Sequence, residues 1–324
     1  MRGATMKRAA WVFALAVYAT QGLAEAPVIR AAVLKIGTVN WELATITENG
    51  FDTDHGFALD VQPYADNGAT RIALEGGAAD MAVADWIWVA RQRAAGKDYV
   101  FIPYSKAVGS LIVPEESSVQ TLPDLAGGKV GIAGGPLDKS WLILRAYAQA
   151  EHGVDLKAVT EQVFGAPPLI YKSALSGDFA GAINFWHFLA KMKASGMREV
   201  ISVETAATAL GLNPDTPLLG YVMKESFLAE HPGLAQAFYE ASQDAKSLLA
   251  DSDSAWEAIR PRMNANSEAQ FTELKTDWIK GIPMRGPVDL DGANKMLALM
   301  NELGGEELVG QASSIPDGLF ADVK

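Results

Sequence analysis

Short apolar strands alternate with helices along nearly the whole chain. From residue 28 onward, each apolar run is followed by a polar or glycine-marked loop and then by residues with helical spacing. This alternation predicts an α/β fold with mainly parallel sheets whose faces are covered by helices. At 324 residues, the chain is long enough for about two domains of this kind.

The predicted strands form two sets, which we expect to be two lobes. A polar, proline-marked stretch at residues 114–125 separates the sets, and residues 218–223 resemble a strand that returns to the first set. We therefore predict lobe one at residues 28–114 plus 218–324, and lobe two at residues 119–217. Ligands of open α/β sheets bind outside the carboxyl ends of the strands, so the ligand cleft is expected between the lobes.

Residues 1–24 have the three parts of a secretory signal peptide. Arg2, Lys7 and Arg8 precede an apolar run at residues 9–19, and small residues lead to Ala24. The run is shorter than the roughly 20 residues that span a bilayer, which favours cleavage after Ala24 over a membrane anchor. We expect a periplasmic, monomeric protein with no membrane insertion after cleavage. Met6 is an alternative start that leaves the signal intact.

Composition excludes several classes of function. There is no cysteine, which excludes disulfides, cysteine nucleophiles and thiolate metal sites. The formal net charge of −12 argues against nucleic-acid binding. The 4 histidines have no close ligand spacing, and no serine lies in a G-x-S-x-G motif. No metal, cofactor or catalytic residue is predicted.

Tryptophans follow several of the predicted strands. Trp41, Trp86, Trp141 and Trp186 lie in, or just past, loops at the strand ends, where indole rings could stack on a flat ligand or hold a cation. The alternative is that they belong to the lobe cores. We predict that Trp41 and Trp186 face each other across the cleft, one from each lobe, and that neither ring is fully buried without ligand.

Polar candidates lie at the same strand ends. Gly134 and Gly135 open a long helix, whose free backbone N–H groups and dipole favour an anion, although an ordinary glycine turn explains them equally well. Asp85 and Asn184 end strands in the first and second sets. Asp85 either caps the following helix or binds a donor of the ligand.

Four segments resemble ABC-transporter substrate-binding proteins of the nitrate/sulfonate/taurine type. They are residues 66–85 (DNGATRIALEGGAADMAVAD), 122–135 (LPDLAGGKVGIAGG), 176–186 (SGDFAGAINFW) and 218–227 (LLGYVMKESF). The resemblance covers nearly the whole chain after the signal, and the order and spacing of the four segments match those of the family. The resemblance implies a type II periplasmic-binding-protein fold that closes on a small-molecule ligand by hinge motion. It also implies an ABC permease and its ATPase as partners.

The ligand-contacting loops of that family map onto residues 37–41, 85–86, 134–141 and 184–186. The resulting candidate ligand-binding residues are Thr38, Asn40, Trp41, Asp85, Trp86, Gly134, Gly135, Asp138, Lys139, Ser140, Asn184 and Trp186. Sulfonate binders of the family usually carry small hydroxyl residues where this chain has Pro136 to Lys139. That departure, with the charges of Asp85 and Asp138, counts against nitrate or a simple alkanesulfonate.

The leading hypothesis is capture of a small organic solute, sulfonate-like, aromatic or heterocyclic, for an ABC importer. Three alternatives remain open. The first is an enzyme of the same fold related to the thiamine-pyrimidine synthases, which need a lysine for a pyridoxal phosphate imine and a reactive histidine. The second is a binding protein that serves a sensor rather than a permease. The third is capture of a hard metal ion by Asp85, Asp138 and nearby acids.

Overall fold

The computed structural model describes residues 26–324, and the predicted signal peptide lies outside that range. The strands are β1 (Val28–Leu34), β2 (Ala58–Tyr64), β3 (Met81–Asp85), β4 (Tyr99–Ser105), β5 (Ser110–Pro114), β6 (Lys129–Ala133), β7 (Glu161–Gly165), β8 (Gly181–Ile183), β9 (Met197–Ser202) and β10 (Leu219–Lys224). The helices up to the last strand are α1 (Val39–Asn49), α2 (Phe51–Asp54), α3 (Asn67–Glu75), α4 (Trp86–Ala94), α5 (Lys139–His152), α6 (Leu156–Val159), α7 (Pro167–Leu175), α8 (Trp186–Lys193) and α9 (Val203–Ala209). The remaining helices are α10 (Glu225–Glu230), α11 (Leu234–Asp251), α12 (Asp253–Ile259), α13 (Glu268–Lys280) and α14 (Leu290–Val309).

Two five-stranded sheets form the two lobes. The first sheet has the strand order β2-β1-β3-β10-β4 and the second has the order β7-β6-β8-β5-β9. In the first sheet only β10 runs against its neighbours, and in the second only β5 does. Each sheet is therefore mainly parallel, and the predicted two-lobe α/β fold is confirmed.

One strand lies in a different sheet from the one predicted. The sequence placed Ser110 to Pro114 in lobe one, but β5 pairs with β8 and β9 in the second sheet. The chain thus leaves lobe one at residues 106–109 and returns through residues 210–218. We call these segments the outward and return crossings. The buried apolar pattern of β5 fits either sheet, and only its distant partners decide between them.

Helices cover both faces of each sheet. In lobe one, α1 and α11 pack on one face, while α4 and α14 pack on the other. In lobe two, α5 and α9 cover one face, and α7 and α8 cover the other. The core on the α4 side runs without a break into the core under α5. On the opposite side α13, which follows the return crossing, packs against α8 of lobe two.

Side-chain caps set the starts of the helices that face the other lobe. The Asp85 carboxylate accepts the N–H of Trp88 at the start of α4, and Asp138 accepts the N–H of Trp141 at the start of α5. Helix α4 begins directly after β3, and α5 begins after a short turn that follows β6, so the caps hold carboxylates at the inter-lobe junction. None of the helices within residues 26–324 has the length and apolarity needed to cross a membrane.

Candidate functional site

An ion pair joins the two lobes at the ends of β3 and β6. Lys139 Nζ lies 3.0 Å from Asp85 Oδ2, while the other oxygen of Asp85 caps α4. Burial by itself would raise the pKa of Asp85, but the charge of Lys139 and the N–H of Trp88 outweigh it and leave the pKa below its ordinary value. The helix-cap reading of Asp85 is therefore confirmed, and the same carboxylate also bridges the lobes, while its binding of a ligand donor stays a prediction.

A second carboxylate, Asp138, lies beside this ion pair. Burial raises its pKa to about 6, and the nearby charge of Asp85 adds to the rise. The N–H of Trp141 and the charge of Lys139 oppose the rise without cancelling it. Asp138 is therefore the group at this junction whose charge changes most within the near-neutral pH range.

The other side of the junction is aromatic. Trp41 and Trp186 meet edge to face, with ring centroids 5.9 Å apart and planes at 88°. The ring centroids of Trp256 and Trp41 are 6.2 Å apart, and those of Trp278 and Trp256 are 5.3 Å apart. We call these four residues the tryptophan seam.

The rings of the seam come from both lobes, and Trp41 and Trp186 meet there without a cleft between them. Trp41 is 3% exposed and Trp186 is 8% exposed without any ligand. The two rings contact each other, and no ligand-sized space separates them. In this structure they pack as part of a buried apolar cluster.

The other two predicted tryptophans belong to the continuous core. Trp86 and Trp141 are almost fully buried in the cluster that runs from α4 to α5. The indole N–H of Trp86 nevertheless has no hydrogen-bond partner among residues 26–324. Trp86 thus combines a core position with an unused donor, whereas the structure shows only packing for Trp141.

The side-chain amides of the candidates Asn40 and Asn184 hydrogen-bond to nearby backbone groups. Asn40 Nδ2 donates to the carbonyl oxygens of Leu34 and Gly37 at 2.8 and 2.9 Å. Asn184 Nδ2 donates to Pro167 O at 3.0 Å, and its Oδ1 accepts the N–H of Phe185. Both side chains stabilise turns, which leaves little hydrogen-bonding capacity for a ligand.

The glycine turn before α5 offers less than the sequence suggested. The N–H of Gly134, expected to be free, donates to Gly165 O at 2.8 Å, and the backbone there has a left-handed φ of 96° that favours glycine. The carbonyl of Gly135 accepts the N–H of Asp138. The ordinary-turn reading explains this geometry, and an anion would find one donor fewer than predicted.

Ser140 and the end of β8 meet the outward crossing. A Cβ at Gly109 would lie 2.8 Å from Ser140 Oγ and 2.9 Å from Asn184 O. Only glycine permits this close approach, so α5, β8 and the crossing converge on one point. Thr38 lies on the lobe-one side, close to Tyr104.

Two groups outside the set of candidate ligand-binding residues support this junction. Lys106 Nζ lies 2.5 Å from Asp215 Oδ1, which ties the outward crossing to the return crossing. A cavity of about 270 Å³ beside this pair is bounded by Trp186, both crossings and the end of α13. The partner of Lys106 is 109 residues away along the chain, and no local pattern in the sequence indicates it.

A buried charged network anchors α1 next to the seam. Glu42 accepts hydrogen bonds from Tyr221, Ser242 and Lys246 at 2.8, 2.6 and 2.9 Å. Burial lowers the pKa of Lys246 despite the opposing charge of Glu42. The network joins α1, β10 and α11 and fixes the position of the helix that carries Trp41. Sequence reasoning missed it, since Glu42 and Lys246 look like ordinary helix surface residues.

Residues 26–324 contain no group of three histidine or acidic side chains arranged to hold a metal ion. Burial lowers the pKa of His187 to about 3, and the charge of Lys191 adds to the effect, so this imidazole is neutral in the folded protein.

The fold is shared with solved binding proteins. The aliphatic sulphonate binding protein SsuA from Escherichia coli is 17% identical, with a TM-score of 0.70 over 92% of this chain and 94% of that one. The alkanesulfonate-binding protein SsuA from Xanthomonas axonopodis pv. citri bound to MOPS is 14% identical, with a TM-score of 0.67 over 92% of this chain and 99% of that one. The zinc-bound ligand-binding component of an ABC-type import system from Staphylococcus aureus is 14% identical, with a TM-score of 0.64 over 89% of this chain and 99% of that one.

The sequence comparisons define the family. No curated protein matches the chain. The sequence model described as NMT1/THI5 like matches residues 43–254, which include most of α1, both crossings, the second sheet and all of α11. That is more than half of the chain and contains most of the candidate residues. The chain therefore belongs to the NMT1/THI5-like family.

Proposed function

We propose that this protein is the periplasmic solute-binding component of an ABC importer. The observation that carries the proposal is the junction itself, where the strand-end loops of both lobes meet and Asp85 pairs with Lys139 across them. A site shared by two lobes is the arrangement in which ligand binding and lobe closure drive each other. The binding proteins that share the fold support the same reading.

The moving units follow from the sheets. Lobe one consists of residues 28–105 and 219–324, and lobe two consists of residues 110–209. The outward and return crossings act as the hinge between them. The pairing of Lys106 with Asp215 supports this assignment, because it ties the two crossings together at one point.

The solute is a small organic molecule bound at the junction, beside Ser140 and the outward crossing. Three observations count against a simple inorganic anion. The N–H of Gly134 is already used, Lys139 is already paired, and Asp138 adds a partly ionised carboxyl beside them. A molecule with an apolar or heterocyclic body and few charges fits these surroundings best.

A thermal-shift screen of the purified mature protein tests the proposal. The panel contains sulfonates, aromatic acids, pyrimidines, quaternary amines and divalent metal ions. A true solute present at about 100 times its dissociation constant adds roughly 2.7 kcal/mol to the free energy of unfolding. The solute should also shorten the distance between spin labels on the two lobes.

Two variants make the screen specific to the junction. Ser140→Trp should abolish the shift, because the large ring fills the point where α5 meets the crossing. Ser195→Trp, on the exposed end of lobe two, should leave it intact. A shift by metal ions alone would favour the metal-binding alternative, and an organic solute that survives Ser140→Trp would contradict the proposed site.

The permease and its ATPase are the proposed partners, and the periplasm is the proposed location. Reconstituted transport gives the test, since a permease partner should stimulate ATP hydrolysis only with the solute-loaded protein. Stimulation of a histidine kinase or a chemoreceptor instead would favour the sensor alternative.

A further inference from the structure

A small cavity lies between the lobes on the α4 side of the junction. Its volume is about 30 Å³, and it is bounded by Trp86 of lobe one, Lys139 of lobe two and Thr216 of the return crossing. The rest of its wall is largely apolar and includes Ile143 and Met296. A molecule of liquid water takes up about 30 Å³, so the cavity accommodates one or two oxygen-sized groups.

Two buried polar atoms at this cavity have no partner. The indole N–H of Trp86 and the hydroxyl of Thr216 make no hydrogen bond to any other residue in the part of the chain that the structure describes. Trp86 is fully buried, at 0% exposure. An unpaired buried donor is destabilising, and nearly all such groups in folded proteins are paired with protein or with ordered water. The two atoms share one cavity, so a single occupant can satisfy both.

The charges around the cavity select the kind of occupant. Lys139 is paired with Asp85, and Lys106 is paired with Asp215. An anion would therefore add an unmatched negative charge beside Glu204, which lines the cavity, and near Asp85, the partner of Lys139. A neutral oxygen meets no such penalty, and it can accept from the indole N–H and from an ammonium proton of Lys139.

We propose that this cavity is a binding site for one uncharged oxygen acceptor, either a water molecule or a hydroxyl or carbonyl oxygen of the captured solute. The donors come from lobe one, lobe two and the return crossing, so the site is complete only while the lobes are in contact. Its occupant adds hydrogen bonds that the open form lacks and so favours the closed form. The site goes beyond the proposed function, because a water molecule would fill it whatever the solute is.

Nuclear magnetic resonance of the ¹⁵N-labelled indole groups tests the occupant. Trp86→Phe identifies the Trp86 signal by its loss, and Trp88→Phe on the same helix is the matched control, because Trp88 stacks on Tyr99 outside the cavity. We expect a nuclear Overhauser effect from the Trp86 indole proton to a long-lived water. With solute bound, the effect either stays or is replaced by one to solute protons.

Three results would overturn the proposal. The first is a Trp86 indole proton with no effect to water or solute, which means a dry cavity. The second is a Trp86 signal that moves with added chloride or sulfate, which means an anion site. The third is an unchanged Trp86 signal in Thr216→Val, which keeps the shape of the side chain but removes the hydroxyl. That variant keeps the test valid even if Trp86→Phe folds poorly.

A double-mutant cycle tests the shared occupant independently. If one oxygen bonds both side chains, Trp86→Phe and Thr216→Val together should lower the urea midpoint by less than the sum of the two separate shifts. The same cycle with Trp88→Phe should be additive. Additivity in both cycles would mean that Trp86 and Thr216 share no occupant.

Discussion

The tryptophan seam and the Asp85–Lys139 pair join the same two lobes by opposite means. The seam is a set of edge-to-face indole contacts whose rings are nearly or fully buried. The pair is one charged contact of 3.0 Å between side chains that keep some access to water. Trp41 and Trp186 sit at helix starts just after strands, much as Asp85 and Lys139 do, so position along the chain alone does not separate the two sides.

The difference shows which side can respond to a ligand. Burial of apolar rings is insensitive to pH and salt near neutrality, and it stabilises the contact whether or not a solute is bound. The charged side depends on protonation, on screening and on which donors are already used. We therefore expect the seam to control how firmly the lobes hold together, and the charged side to control what they recognise.

The largest change in the free energy of unfolding is expected for a substitution in the tryptophan seam. Trp186→Ala should lower the free energy of unfolding by about 3–5 kcal/mol, because it leaves a cavity between Trp41 and the core of α8. Urea unfolding measures the change. Phe185→Ala is the matched control, since this neighbouring ring is 40% exposed and should cost much less. Equal losses in the two variants would show that the seam is loosely packed and belongs to a ligand surface.

The next effect is expected at the ion pair. Lys139→Met leaves the Asp85 carboxylate buried without its cation and should cost about 2–3 kcal/mol at pH 7, less than for a fully buried pair because Lys139 is partly exposed. The folded pKa of Asp85 lies below its ordinary value, so the pair stabilises the fold above about pH 4 and this contribution is lost as the pH falls through the folded pKa.

Urea unfolding at pH 7 and near pH 3 measures this dependence. Asp85→Asn combined with Lys139→Met should recover most of the loss at pH 7, since no unpaired charge remains. A loss of equal size at both pH values would mean that Lys139 contributes through packing rather than charge.

A smaller effect with the opposite pH dependence is expected at Asp138. Its folded pKa is about 6, above the ordinary value near 4. Its contribution to stability is therefore greatest below pH 4 and is lost as the pH rises through 6. Asp138→Asn, which keeps the cap on α5, should stabilise the protein by about 1–2 kcal/mol at pH 8 and hardly at all at pH 4. Thermal unfolding across that range checks it, and a gain that does not vary with pH would rule out a raised pKa.

The smallest change in the free energy of unfolding is expected for a substitution in the outward or return crossing. Lys106→Met should cost less than about 1 kcal/mol, because Lys106 and Asp215 are both partly exposed. The cost should shrink further in 1 M salt, whereas that of Trp186→Ala should not. A loss of several kcal/mol that persists in salt would place this pair with the buried contacts instead.

Local chemistry made much of the fold predictable. The alternation of strands and helices, the glycines after helices and the aspartates before α4 and α5 are read from neighbours a few residues apart, and the structure confirms the two mainly parallel sheets that they imply. The start of α1 at Val39 is hard to predict, because Val39 and Asn40 resemble loop residues until Trp41 and its partners bury that turn.

The candidate site was less accessible to prediction. Asp85, Lys139 and Ser140 lie at the junction, because the carboxyl ends of parallel strands share one edge. Whether a side chain there is free for a ligand depends on what else it touches. Asn40 and Asn184 serve turns, and the N–H of Gly134 serves β7.

The sequence by itself determined the periodic pattern, the caps and the charge of this protein, because each depends on residues close together along the chain. Tertiary structure alone decided that β5 belongs to the second sheet, that Glu42 meets Lys246, and that Trp41 rests on Trp186. These contacts join residues that are far apart along the chain. Apolar burial is non-directional, so any of several partners would have satisfied the same pattern, and only the packing of the whole molecule selects one.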